Sequence, residues 1–130
     1  MATGPDDLLA QLPTRLADET IIWLATVRPD GRPHLIAIWF VHVDDALWFA
    51  TGARSVKIVN IEANPRVNVS LESGMQSAVG EGRATVVPQP WPQTVLDAFV
   101  ERFDWDISSG LDTDVGEVAL VRIDVERWRR

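Results

Sequence analysis

Alternation dominates the middle of this chain. Val67, Val69 and Leu71 interleave with Asn68, Ser70 and Glu72, and a period of two marks a strand with one dry face and one wet one. The same pattern, set between turn residues, predicts strands from Ile21 to Val27, Pro33 to Val43, Ala46 to Thr51, Arg66 to Glu72, Ser77 to Val87 and Glu117 to Glu126. Pro29, Asp30 and Gly31 make the first two a hairpin, and Asp44-Asp45 makes the next turn. Gly80 and Gly82 predict a kink or bulge in the fifth strand, which Pro88, Pro90 and Pro92 end. Helical spacing occurs three times. Leu8, Leu9, Leu12 and Leu16 predict an opening helix broken or bent near Pro13. Ser55 to Asn64 reads as a short helix with Ser55 as N-cap and Pro65 beyond its end, and Trp91 to Phe103 carries the stripe Val95, Leu96, Phe99, Val100 and Phe103. Asp104 to Asp114 reads as a loop.

Six antiparallel strands punctuated by short helices predict a mainly β fold, a small closed or nearly closed barrel, as one domain over residues 1–130. A doubly wound parallel sheet is disfavoured. The segment from Pro33 to Val43 is apolar on both faces, with Leu35, Ala37, Trp39, Val41 and Val43 on one and Ile36, Ile38 and Phe40 on the other. A barrel interior takes one of these faces. The other needs a helix, a flat cofactor or a second subunit.

Charge narrows the partners. Twelve basic against nineteen acidic residues give a net charge of −7 and a pI near 4.7, which argues against a broad grip on a nucleic-acid backbone. The absence of cysteine excludes disulfides, thiolate metal sites and a cysteine nucleophile, and suits a cytoplasmic protein whose redox chemistry arrives with a cofactor. Asp6 and Asp7 stand where a signal peptide would carry basic residues, and no apolar run reaches the roughly 18 residues of a membrane span. The expectation is a soluble chain without a membrane partner.

The sharpest chemical feature is Thr51-Gly-Ala-Arg54-Ser55-Val-Lys57, between a strand and the first turn of a helix. Free N–H groups at a helix start, two hydroxyls and two cations together suit a phosphate. Simple capping by Ser55, with Arg54 and Lys57 in solvent, is the competing reading. Eleven of the twelve basic residues are arginine, so Lys57 is the only lysine of the chain. The segment is not a P-loop, since it lacks the Gly-Lys-Ser/Thr ending. His34 and His42 share a face of one strand if it stays regular, about 26 Å apart, too far to share a metal. No metal site and no hydrolase signature is found. Of six tryptophans, Trp39 and Trp105 are candidates for stacking on a flat ring, against core or interface packing. Asp104, Asp106, Asp112 and Asp114 read as a solvated loop.

Taken in order, Leu24-Ala-Thr-Val-Arg-Pro-Asp-Gly-Arg-Pro-His34, Trp39-Phe40, Leu47-Trp-Phe-Ala-Thr51, Ser55-Val-Lys57 and Asn60 to Val67 resemble the pyridoxamine 5′-phosphate oxidase-like split β-barrel family of flavin- and deazaflavin-binding proteins. The resemblance spans residues 21–72, with a weaker echo in Gly80 to Ala84 and Arg122 to Trp128. It implies a six-stranded split barrel, homodimeric, with cofactor at the subunit seam. Thr51, Ser55 and Lys57 would hold the cofactor phosphate, with Arg54 assisting because Val56 replaces a basic residue common in the family. His34, Leu35, Ile36, Ala37 and Trp39 would present backbone groups to the ring, although the proline many members carry is replaced here by Ala37 or Ile38. The chain stops at Trp128-Arg-Arg130 without an Arg/His-bearing substrate segment, so the resemblance points away from pyridoxamine phosphate itself. It implies a reductase passing hydride from the deazaflavin coenzyme F-420 to an unsaturated small molecule, with FMN as the alternative cofactor and a carrier or sensor without turnover as the alternative role. No side chain stands out as the proton donor.

Overall fold

The computed structural model describes residues 9–109 and 112–129. Among these residues there are eight strands: β1 (Ile21–Val27), β2 (Pro33–Trp39), β3 (Val41–Val43), β4 (Ala46–Gly52), β5 (Arg66–Leu71), β6 (Val79–Val87), β7 (Asp112–Thr113) and β8 (Gly116–Arg129). Three helices lying wholly within the described residues accompany them: α1 (Leu12–Asp18), α2 (Val56–Ala63) and α3 (Gln93–Phe103). Seven strands follow one path, β2-β1-β5-β6-β8-β4-β3, every pair antiparallel, while the two-residue β7 pairs with β8 inside the stretch expected to be loop. The sheet curls into a split barrel.

The main path has seven strands and not six because the long segment 33–43 breaks at Phe40. β2 bonds to β1 and β3 bonds to β4, at opposite ends of the path. Phe40 makes the corner. Its side chain is fully buried and its N–H donates to the Thr20 carbonyl at 3.0 Å. The corner also explains why the segment was apolar on both faces. Phe40 enters the interior beside Ile22, Leu24 and Phe49, whereas Val41 passes to the outer layer with Trp48 and Phe99. His34 and His42 therefore lie on different strands, at opposite ends of the path.

The interior is built from the inward sides of the strands, including Ile22, Leu24, Phe49, Val69, Leu71, Val121 and Ile123. Leu12 and Leu16 of α1 and Ile58 and Ile61 of α2 join the same cluster. A second cluster lies outside the barrel, where Val95 and Phe99 of α3 cover Val41, Trp48 and Leu120. Each such buried side chain stabilises the fold by roughly 1.5–3 kcal/mol.

Local chemistry sets the corners. Asp44 and Asp45 both take positive φ, 54° and 59°, which gives the two-residue turn whose twist matches the strands it joins. The expected irregularity near the glycines is a register shift between Glu81 and Gly82. A Cβ on Gly82 would stand 2.1 Å from the Asp124 carbonyl oxygen, so only glycine lets β6 approach β8 there. The opening helix breaks at Gln11, and Pro13 sits in the first turn of α1, where its missing N–H leaves no gap. Leu8 lies outside the described residues. Arg102 of α3 donates to the carbonyls of Ala17 and Glu19 and so ties down the end of α1. Among the described residues no helix is long and apolar enough to cross a membrane.

Candidate functional site

Three strands turn polar at the same end of the barrel. The inward face of β1 runs Ile22, Leu24, Thr26, and that of β4 runs Leu47, Phe49, Thr51. On β2, antiparallel to β1, the series is Ile38, Ile36, His34, with His34 directly opposite Thr26. α2 covers this end. Asn60, on its buried side between Ile58 and Ile61, donates Nδ2 to the Thr26 hydroxyl at 3.0 Å. The polar mouth is thus bonded to the helix whose first residues looked anion-binding in the sequence.

The start of α2 is held firmly. Ala53 and Arg54 donate their N–H groups to the carbonyls of Glu117 and Val115, at 2.7 and 2.6 Å, and Ser55 donates to Gly52 at 3.0 Å. Ser55 occupies the N-cap position with extended backbone, φ −67° and ψ 158°. Its side chain nevertheless makes no capping bond. The hydroxyl is buried without a partner, in a residue only 6% exposed. The simple-capping reading of Ser55 therefore fails, and a buried hydroxyl left unsatisfied costs about 1–3 kcal/mol unless a ligand meets it.

Lys57, in the first turn, is half-buried and makes no salt bridge among the described residues. Burial pushes its ammonium below the ordinary lysine range. On the other side of the Asn60–Thr26 bond, His34 has Nδ1 buried without a partner. Burial, then the positive charges of Arg28 and Lys57, hold its imidazole below the ordinary range. A hydroxyl without an acceptor, a desolvated ammonium and a helix N-terminus form a set that an anionic group would complete. The chemistry of this donor set, a hydroxyl, an ammonium and free helix N–H groups, suits a phosphate.

Two clefts flank the Asn60–Thr26 bond. One, of about 340 Å³, is walled by Arg28, Asp30, Arg32, Arg54, Val56 and Asn60. The other, of about 410 Å³, includes Ala25, Thr26, Pro33, Arg66 and Gly82. Arg54 thus belongs to the cleft beside Ser55, while the Asp30 carboxylate is engaged by Arg32 at 2.8 Å.

β2 contributes differently from what its side chains suggest. His34 and Ile36 face inward, whereas Leu35 and Trp39, 64% and 52% exposed, lie with Ala37 on the outer face. Arg28 N–H bonds to Arg32 and Phe40 N–H bonds to Thr20, so by alternation the even-numbered residues of β2 bond to β1. The N–H and C=O groups of Leu35, Ala37 and Trp39 point off the open edge. Of the five residues expected to face a ring, these three offer backbone groups and His34 and Ile36 do not. Trp39 stacks on Phe103, centroids 4.6 Å apart and planes within 3°. Trp105 meets Phe99 edge-on at 5.9 Å and belongs to the outer core.

The structure gathers Thr51, Ser55, Lys57 and His34 around one barrel mouth and sets Arg54 in the adjoining cleft. Thr26, Arg28 and Asn60 stand in the sequence only within the family-like motifs and are not marked there as site residues. A polar residue inside the Ile58/Ile61 stripe was the available signal.

A small antiparallel split barrel with a cationic, hydroxyl-bearing helix start at its mouth defines a class of cofactor-binding domains. Within that class the assignment is direct. The chain belongs to the pyridoxamine 5′-phosphate oxidase family, whose model, described as Pyridoxamine 5′-phosphate oxidase, matches residues 8–130. Among solved structures, the conserved protein Rv2991 of Mycobacterium tuberculosis is 31% identical over 92% of this chain and 81% of its own, with a TM-score of 0.73. An F-420 reductase is 26% identical over 88% of this chain and 93% of its own, with a TM-score of 0.69. HutZ, the heme storage protein of Vibrio cholerae, is 21% identical over 92% of this chain and 91% of its own, TM-score 0.74, a likeness of fold. No curated protein matches.

Proposed function

We propose that this chain is a cytoplasmic oxidoreductase that binds a phosphate-bearing deazaflavin, coenzyme F-420, at the mouth capped by α2 and reduces an unsaturated small molecule. The observation that carries the reading is the buried, partnerless Ser55 hydroxyl beside the half-buried Lys57. The 26% identity to an F-420 reductase over 88% of the chain supports F-420 over FMN, and the lack of cysteine suits the cytoplasm.

Each residue has a task in this reading. Ser55 Oγ, Thr51, Lys57 and the first N–H groups of α2 bind the phosphate, and Arg54 adds charge at the cleft. The edge groups of Leu35 and Ala37 orient the ring, and the Trp39–Phe103 pair shields that edge from water. A bound reduced deazaflavin supplies the hydride that the protein itself lacks. Solvent supplies the proton.

The outer face of β1 and β2 carries Trp23, Leu35, Ala37 and Trp39, with Trp23 directly opposite Ala37. A second copy of the chain covers this face, making a homodimer with cofactor at the seam.

Anaerobic mixing of the protein with reduced F-420 and 2-cyclohexen-1-one tests turnover. The return of oxidised deazaflavin absorbance is expected to be faster than without protein. Tight binding with no acceleration would replace the reductase reading with that of a carrier or sensor.

A further inference from the structure

We infer that the His34 side chain is a further ligand of the anionic group held at Ser55 and Lys57, and that it takes up a proton from solvent when that group binds. This rests on the cofactor reading above. The argument is one of placement. His34 lies opposite Thr26 across the β1–β2 ladder, Thr26 is bonded to Asn60 of α2, and Asn60 stands one turn beyond Lys57 on the same side of that helix. His34 and Lys57 therefore flank one polar junction. Its Nδ1 is buried with no partner, as is Ser55 Oγ. Two orphaned polar atoms at one mouth are two unmet demands for a ligand atom.

The charges around His34 make its protonation conditional. From the end of β1 it faces Arg28, and from α2 it faces Lys57. The Asp30 carboxylate in the intervening turn is held by Arg32 and offers His34 no counter-charge. With the site free, desolvation and two cations keep the imidazole neutral. An entering anion offsets both cations and accepts a hydrogen bond from the imidazolium, so the charged form becomes the favoured one. No bond between heavy atoms changes. One proton passes from bulk water to the ring.

Linkage gives the sign. Because the bound state holds a proton the free state lacks, affinity rises as pH falls from the bound toward the free titration point of His34. A phosphate monoester loses its second charge below about pH 6, which pushes affinity the opposite way, so the two sources are separable.

The chain has two histidines, which makes NMR the direct test. The imidazole Cε1–H signals are titrated with pH in the free protein and in protein saturated with FMN or with F-420, saturation being read separately by fluorescence. His42 lines a different cavity, beside Asp45 and Trp128, and serves as internal reference. His42→Gln assigns the remaining signal without touching the site. The expected result is an upward move of the His34 titration point by about one pH unit, a tenfold change in its proton affinity, with His42 unmoved. His34→Gln should weaken binding about tenfold at pH 6 and less at pH 8, a split that a merely structural role would not produce. A His34 signal that does not shift while cofactor is bound overturns the inference and leaves the cofactor reading standing. Failure of both cofactors to bind overturns the two together.

Discussion

Asn60 donates Nδ2 to Thr26 Oγ1 at 3.0 Å in a buried setting, and this bond is the joint between α2 and the barrel mouth. It places the helix whose first turn holds Ser55 and Lys57 against the strand pair that carries His34. Thr26→Val keeps the shape of the residue and removes the acceptor. The variant is expected to lose about 1–3 kcal/mol in urea unfolding, because Asn60 is then buried unpaired, and the double variant Thr26→Val/Asn60→Leu is expected to recover part of the loss. Equal stability of Thr26→Val and the parent would show that the joint is not held by this bond.

The bulge gives a sharper structural prediction. Gly82→Ala puts a Cβ against the Asp124 carbonyl, and that backbone cannot step aside without breaking the β6–β8 ladder. A loss of about 3 kcal/mol or more is expected. Gly74→Ala, with nothing within 4 Å of the added atom, should stay within about 0.5 kcal/mol of the parent. Comparable thermal midpoints for the two variants would contradict this account of the glycine.

Much of this was readable in the sequence, and the rest was lost for identifiable reasons. Val67, Val69 and Leu71 are buried as their alternation required, and the stripe of α3 packs on the barrel through Val95 and Phe99. The corner at Phe40 was hidden because one apolar run supplies an interior face on β2 and an outer-layer face on β3, and periodicity does not register a change of partner strand. At the site, the segment from Thr51 to Lys57 was legible as an anion-binding pattern. The idle Ser55 hydroxyl was not, since an N-cap serine and a ligand-binding serine look alike until the cap geometry is seen. Thr26 and Asn60 escaped for a related reason: their tie joins residues 34 positions apart.

Stability should fall in mild acid, and His34 should be part of the cause. Its imidazole titrates lower in the folded protein than in the unfolded chain, through burial and the charges of Arg28 and Lys57. The unfolded state therefore binds the proton first, and the His34 contribution, full above the unfolded titration range, is lost as pH falls through the folded one. His34→Gln should flatten the stability profile between about pH 7 and pH 5. The carboxylates of Asp30 and Asp106, held low by bonds donated by Arg32 and by Ser108 respectively, titrate below that window. A profile of unchanged slope in the variant would count against this role.

The outer face of β1 and β2 predicts assembly. Trp23 and Leu35 are 40% and 64% exposed on adjacent strands, and the double variant Trp23→Arg/Leu35→Glu puts two charges into the proposed seam. Analytical ultracentrifugation should show a dimer for the parent and a monomer for the variant. A parent that sediments as a monomer would remove the second subunit from the account.

The central claim is that the mouth capped by α2 is an anion site for a flavin-type cofactor. Side-by-side fluorescence titrations of the purified protein with F-420 and with FMN, repeated on Ser55→Ala and Lys57→Ala, test it most directly. The account predicts tight binding of F-420 by the parent and affinity at least about tenfold weaker in each folded variant, the loss of one charge-assisted contact. Unchanged affinity in both variants, or no binding of either cofactor by the parent, would contradict it.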